Sequence, residues 1–146
     1  MVEGLTRAVL EELDEDTCQE LFATVNVGRI AFRHADRVEI FPITVTLHRG
    51  EPCFLTAPGT KLGSAASDSE VLVEADAFDR EAQTGWSVIA RGTAHLVIDH
   101  ADLEPLMALN FEPWVDLDRS GQWVRVEVDQ WTGRRLRRDD DTSEPT

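Results

Sequence analysis

Thr56 to Gly92, TAPGTKLGSAASDSEVLVEADAFDREAQTGWSVIARG, joins a tight polar turn to two alternating apolar segments. In the turn, TAPGTKL gathers the hydroxyls of Thr56 and Thr60 and the charge of Lys61 around a Pro58-Gly59 bend, ahead of a helix-compatible run from Lys61 to Ala66. Hydroxyls, a fixed cation and amides at a helix start suit an anion better than a metal. Beyond it, Val71, Val73, Ala75 and Ala77 alternate with Leu72, Glu74, Asp76 and Phe78, the period-two pattern of a half-buried strand. After the acidic loop FDREAQTG a longer strand follows, with Trp86, Val88, Ala90, Gly92, Ala94, Leu96 and Ile98 on one face.

Upstream, three segments read as a meander: Arg29 to Arg33, Val38 to His48 and Pro52 to Ala57, separated by the turn-like HADR and HRGE. Pro42 cannot donate to a ladder, which predicts an edge or a bulge there. A sixth strand follows the Pro-Trp loop FEPWVDLDRSG; in it Val124, Val126 and Val128 oppose Trp123, Arg125, Glu127, Asp129 and Trp131. Helices flank this run. Cys18, Leu21, Phe22 and Val25 form an apolar stripe, with Asp14 as the cap and Gly28 as a stop. Asp99 to Leu109 carries Leu103, Leu106 and Met107 at helical spacing, with Pro105 near its first turn or kinking it. The pattern predicts a mainly β fold with flanking helices, a closed or nearly closed six-stranded antiparallel barrel. Residues 13–138 form its single domain, after an N-terminal extension at 1–12 and before a disordered acidic tail at 139–146.

Fourteen basic against 28 acidic residues give a net charge of −14, which opposes binding to nucleic acid or anionic lipid. No apolar run approaches the ~20 residues of a membrane span, and the N-terminus does not read as a signal peptide. Cys18 and Cys53 lack a C-x-x-C partner, and two free thiols fit a reducing cytoplasm. His34, His48, His95 and His100 show no metal-ligand spacing. Gly85-Trp86-Ser87 lacks the second glycine of a hydrolase elbow, where Ile89 stands. Rossmann and Walker glycine motifs are absent. The basic run GRRLRR, Gly133 to Arg138, reads either as a solvated end or as a local positive site.

The ordered set GRIAF (Gly28 to Phe32), FPITV (Phe41 to Val45), TAPGTKL, VLVEAD (Val71 to Asp76), GWSVIARGTA (Gly85 to Ala94), PW (Pro113, Trp114) and TGRRL (Thr132 to Leu136) resembles the pyridoxamine 5′-phosphate oxidase-like proteins, in particular their short bacterial branch. The resemblance runs from about Leu13 to Leu136 and implies an FMN-binding split barrel working as a homodimer. It implies that Thr56, Thr60 and Lys61 grip the flavin phosphate, that the adjoining Leu62 also belongs to the cofactor site, and that Pro42, Ile43 and Thr44 pass the isoalloxazine ring. It places Trp86 and Ser87 near the cleft and lets Trp131, Arg134 or Arg135 reach it, from the same subunit or its partner. Many relatives carry Asn-Tyr where this chain has Thr44-Val45, and true pyridoxamine phosphate oxidases present an Arg-Lys pair where it has one Lys; vitamin B6 oxidation is therefore not expected. The expectation is a cytoplasmic flavoprotein oxidoreductase between a small-molecule electron donor and acceptor, with no side chain nominated as catalytic. The alternatives are a carrier or sensor of flavin, F420 or haem, with His48 or His95 as axial ligand, and a barrel with an empty pocket.

Overall fold

The computed structural model describes residues 8–57, 59–65, 67–109 and 121–138. Among the described residues eight strands run in chain order: β1 (Ala8–Leu13), β2 (Val27–His34), β3 (Arg37–Thr44), β4 (Thr46–His48), β5 (Glu51–Thr56), β6 (Ser69–Asp79), β7 (Thr84–Leu96) and β8 (Gln122–Arg138). Three helices accompany them: α1 (Glu15–Phe22), α2 (Lys61–Ala65) and α3 (His100–Met107). The strands pair antiparallel along the path β3-β2-β6-β7-β8-β5-β4, with β1 on β8. The two ends of that path, β3 and β4, are separated in the chain by Val45 alone. A sheet whose end strands are covalent neighbours must curl, and this one forms a split half-barrel. Val45 is fully buried at the seam, and its N–H donates to the Asn26 carbonyl at 3.0 Å.

The predicted alternation sets what lies inside. Ile30, Phe32, Val71, Val73, Ala75, Val88, Ala90, Ala94, Val124 and Val126 form one buried cluster. HADR and HRGE are two-residue hairpins, and φ is positive at both central residues of each: Ala35 and Asp36, then Arg49 and Gly50. Such turns match the right-handed twist of their strands. Pro42 lies in an end strand, where its missing N–H does not interrupt a second ladder.

Four features depart from the sequence pattern. The predicted 38–48 strand breaks at Val45 into β3 and β4. Residues 8–12, read as an extension, belong to β1, which pairs Ala8 with Arg138 through to Leu13 with Gly133. Gly28 does not stop the helix. α1 starts at its Asp14 cap, whose carboxylate accepts from Thr17 N–H at 2.8 Å, but ends at Phe22. Gly28 sits in β2, where a Cβ would stand 2.5 Å from the Glu74 carbonyl oxygen. Finally, the β7–β8 register slips: Arg91 pairs with Gln130 but Gly92 with Val128, so Asp129 is an extra residue. That bulge reverses the phase of β8 and turns Trp131 into the core beside Phe22, off the face predicted for it.

A second, smaller cluster joins Cys53, Val97, Leu106 and Trp123 beneath α3. Both cysteines are free and buried. GRRLRR is strand, paired to β7 through Leu136 and to β1 through Arg138, and Arg137 Nε lies 3.5 Å from Glu11 Oε1. Among the described residues no helix is long and apolar enough to cross a membrane. Pro113, Trp114 and the 139–146 tail lie outside the described residues.

Candidate functional site

Curling brings the end strand β3 opposite β5 and the turn that follows it. Between them lies a cleft of about 400 Å³. Phe41, Pro42, Ile43 and Thr44 form one wall; Leu55, Thr56 and Ala57 form the other; Thr60, Lys61 and Leu62 close it. Phe41 is braced from behind by Phe32, with ring centroids 5.5 Å apart. β3 is paired along one edge only, which leaves main-chain groups of the cleft wall outside the ladder.

The closing turn is tightly wound. Gly59 takes a positive φ of 81°. Thr60 then caps α2: its hydroxyl donates to the Ala57 carbonyl at 2.8 Å and accepts from Gly63 N–H at 2.9 Å. Its carbonyl accepts from Ser64 N–H at 2.9 Å. In this arrangement the Thr60 hydroxyl caps α2 and shapes the cleft wall. Thr56 is buried in the wall. Lys61 is the one charged residue lining the cleft among the described residues, and its Nζ lies 3.3 Å from Glu39 Oε2. Glu39 was not singled out from sequence. Its only signal is a lone carboxylate in phase with Phe41 and Ile43.

The candidate residues fall into separate groups. Pro42, Ile43, Thr44, Thr56, Thr60, Lys61 and Leu62 meet at the cleft. Ser87, Trp131 and Arg134 line a different cavity of about 480 Å³ with Glu12, Leu13, Ile89, Thr132 and Gly133. Trp86 and Arg135 are cross-strand partners and line neither.

Two charged clusters lie elsewhere on the sheet. Arg29 Nη1 holds Glu74 Oε1 at 2.9 Å and Asp76 Oδ2 at 3.0 Å. Burial, and then the neighbouring Asp76 carboxyl, push Glu74 up to about 7, against the pull of Arg29. His95 Nδ1 lies 3.0 Å from Asp68 Oδ1 and Nε2 lies 3.1 Å from Glu127 Oε1. Both ring nitrogens of His95 are therefore engaged, and no histidine lines the cleft among the described residues. Those residues also hold no cluster suited to a metal ion.

A lysine at one end of an apolar slot is suited to a ligand with a flat ring and an anionic chain. The sequence profile of the family described as pyridoxamine 5′-phosphate oxidase matches residues 14–135. An FAD-binding protein from Mycobacterium smegmatis is 42% identical, with a TM-score of 0.76 over 86% of this chain and 99% of that one. A protein of unknown function from Corynebacterium diphtheriae, DIP1874, is 32% identical, with a TM-score of 0.71 over 86% of this chain and 96% of its own. The uncharacterised Mycobacterium tuberculosis protein Rv0080 is 32% identical over 130 residues, which make up 86% of this chain and 84% of that protein.

Proposed function

The chain belongs to the pyridoxamine 5′-phosphate oxidase family, and on that footing we propose that it is a flavin-binding oxidoreductase, moving hydride or electrons between a reduced nicotinamide or flavin and a small acceptor. One observation carries the reading: the slot between β3 and β5 has apolar walls and, among the described residues, a single lining cation, Lys61. Phe41, Pro42 and Ile43 against Leu55 and Leu62 suit the two faces of an isoalloxazine ring. Lys61 suits a phosphate of the chain. The FAD bound by the 42% identical mycobacterial relative supports the same choice. When bound, the flavin supplies the redox chemistry; the protein binds it, orients it and excludes water. Flavin is favoured over haem because no histidine lines the slot among the described residues and both nitrogens of His95 are engaged.

The slot is open along one side, and Ser87, Trp131 and Arg134 line a cavity of their own. A homodimer that sets the second cavity of one copy against the slot of another accounts for both. The two free, buried thiols accord with a reducing cytoplasm. With one lysine for a phosphate, oxidation of pyridoxamine phosphate is not part of the proposal.

The test is the visible absorption spectrum of the purified protein before and after adding flavin. Bound flavin with red-shifted, structured bands is expected, and Lys61→Ala is expected to weaken binding by about 1.5 to 3 kcal/mol. No binding at high flavin concentration would overturn the reading. Retention of flavin without reduction by NADH, NADPH or reduced F420 would make the protein a carrier.

A further inference from the structure

His95, in β7, is clasped from both sides. Its side chain is 25% exposed, and each ring nitrogen faces a carboxylate: Nδ1 lies 3.0 Å from Asp68 Oδ1 and Nε2 lies 3.1 Å from Glu127 Oε1. The two acids belong to different parts of the fold. Glu127 is in β8, whereas Asp68 stands three residues past the end of α2, where the turn that closes the cleft returns to the sheet. Asp68 takes a left-handed φ of 57°, and its N–H donates to the Ala94 carbonyl at 2.8 Å. From β8, Arg125 is the cross-strand partner of His95, but its Nη1 lies 3.0 Å from Glu51 Oε2 of β5. From β6, Glu70 pairs with Thr93, two positions back along β7.

A carboxylate accepts hydrogen bonds and donates none, so both contacts are attractive only while both ring nitrogens carry protons. A neutral imidazole has one N–H. Its other nitrogen then turns a lone pair toward a carboxylate, and one of the two contacts is lost. We propose that His95 is a proton-operated clip on the cleft turn: charged, it ties the return of the turn to β8 through Asp68 and Glu127; neutral, it holds one of the two, and the tie is broken. Rising pH therefore loosens the turn that carries Thr60 and Lys61. Falling pH tightens it until the carboxylates themselves take up protons. The clip is built from the chain alone and stands whatever ligand the cleft takes.

The experiment follows hydrogen exchange of the full chain by NMR from about pH 5.5, above the ordinary carboxylate range, until the ring signals of His95 report the neutral form. Protection factors, which divide out the intrinsic pH dependence of exchange, are read at the Asp68 amide and at the Ser64 amide, which donates to the Thr60 carbonyl within the turn. In wild type both are expected to fall roughly three- to fivefold in step with the ring signals, the scale of an exposed ion pair. His95→Gln is expected to show the lower protection at every pH. Glu127→Gln separates the clip from a passive contact: its amide donates to the neutral ring or accepts from the charged one, so protection is expected to stay high and flat across the titration. Ion pairs at such a surface cluster add little to global stability, so both variants are expected to fold. Wild-type protection that ignores the ring, a fall in Glu127→Gln equal to that of wild type, or a fall at Asp68 that does not reach Ser64 overturns the inference.

Discussion

Phe22 meets Trp131 edge-on, with ring centroids 5.4 Å apart and planes inclined at 79°. This contact ties α1 to the half of β8 that lies past the bulge. Both residues are in the main core cluster, so removing the indole leaves a hole there. Trp131→Ala is expected to lower stability by about 3 to 5 kcal/mol in urea titrations, and Trp131→Phe by clearly less. Equal losses for the two would show that the ring contact carries none of the effect.

The bulge makes its own demand on Gly92. A Cβ there would stand 2.0 Å from the Glu127 carbonyl oxygen, an approach that backbone movement alone can relieve. Gly92→Ala is expected to cost about 1 to 3 kcal/mol. Thermal unfolding of the variant measures it, and an unchanged melting temperature would contradict the registered slip at Asp129.

Glu74 gives stability a pH dependence of definite sign. Its pKa rises from 4.5 unfolded to about 7 folded, so between those values the native state holds a proton that the unfolded chain has lost. Stability from this group is full below pH 4.5, falls as pH rises toward 7 and is flat above it. Glu74→Gln keeps the size and removes the titration. It is expected to flatten this part of the stability profile and to be the more stable protein at pH 8, as chemical denaturation across the range will record.

Thr60 holds the cleft turn by accepting from Gly63 N–H and donating to the Ala57 carbonyl. Thr60→Ala is expected to destabilise the turn by about 1 kcal/mol, with faster hydrogen exchange at the amides of Gly63 and Ser64; Thr60→Ser is expected to preserve protection. If both variants exchange alike, the hydroxyl is not what holds the turn.

Much of the architecture is legible from side-chain periodicity. Val71, Val73 and Ala75 alternate without interruption, and burial follows them. The departures come from features that periodicity does not encode. One extra backbone residue at Asp129 rotates every later side chain of β8 by half a turn, and nothing in DQWTG announces it. β1 mixes Leu10 with Glu11 and Glu12 because β8 pairs with it along one edge and its side chains are only half-buried, so it lacks a clean apolar stripe. At the cleft, the residue types of FPITV and TAPGTKL suffice to bring seven candidates together. The partner of Lys61 is invisible in sequence because Glu39 is 22 positions away and meets it only after the sheet has curled. Arg134 and Ser87 are neighbours by strand register, and that same register holds them at the second cavity.

Val45 makes the cleft a lever. β3 runs into Val45, buried where it gives way to β4, and at its other half Glu39 meets Lys61 of the turn after β5. Glu39 stands six positions before Val45, about 20 Å along an extended strand, so a tilt of roughly 5° at that valine shifts Glu39 by nearly 2 Å. A methyl added or removed at Val45 would therefore be felt most at the Glu39–Lys61 contact.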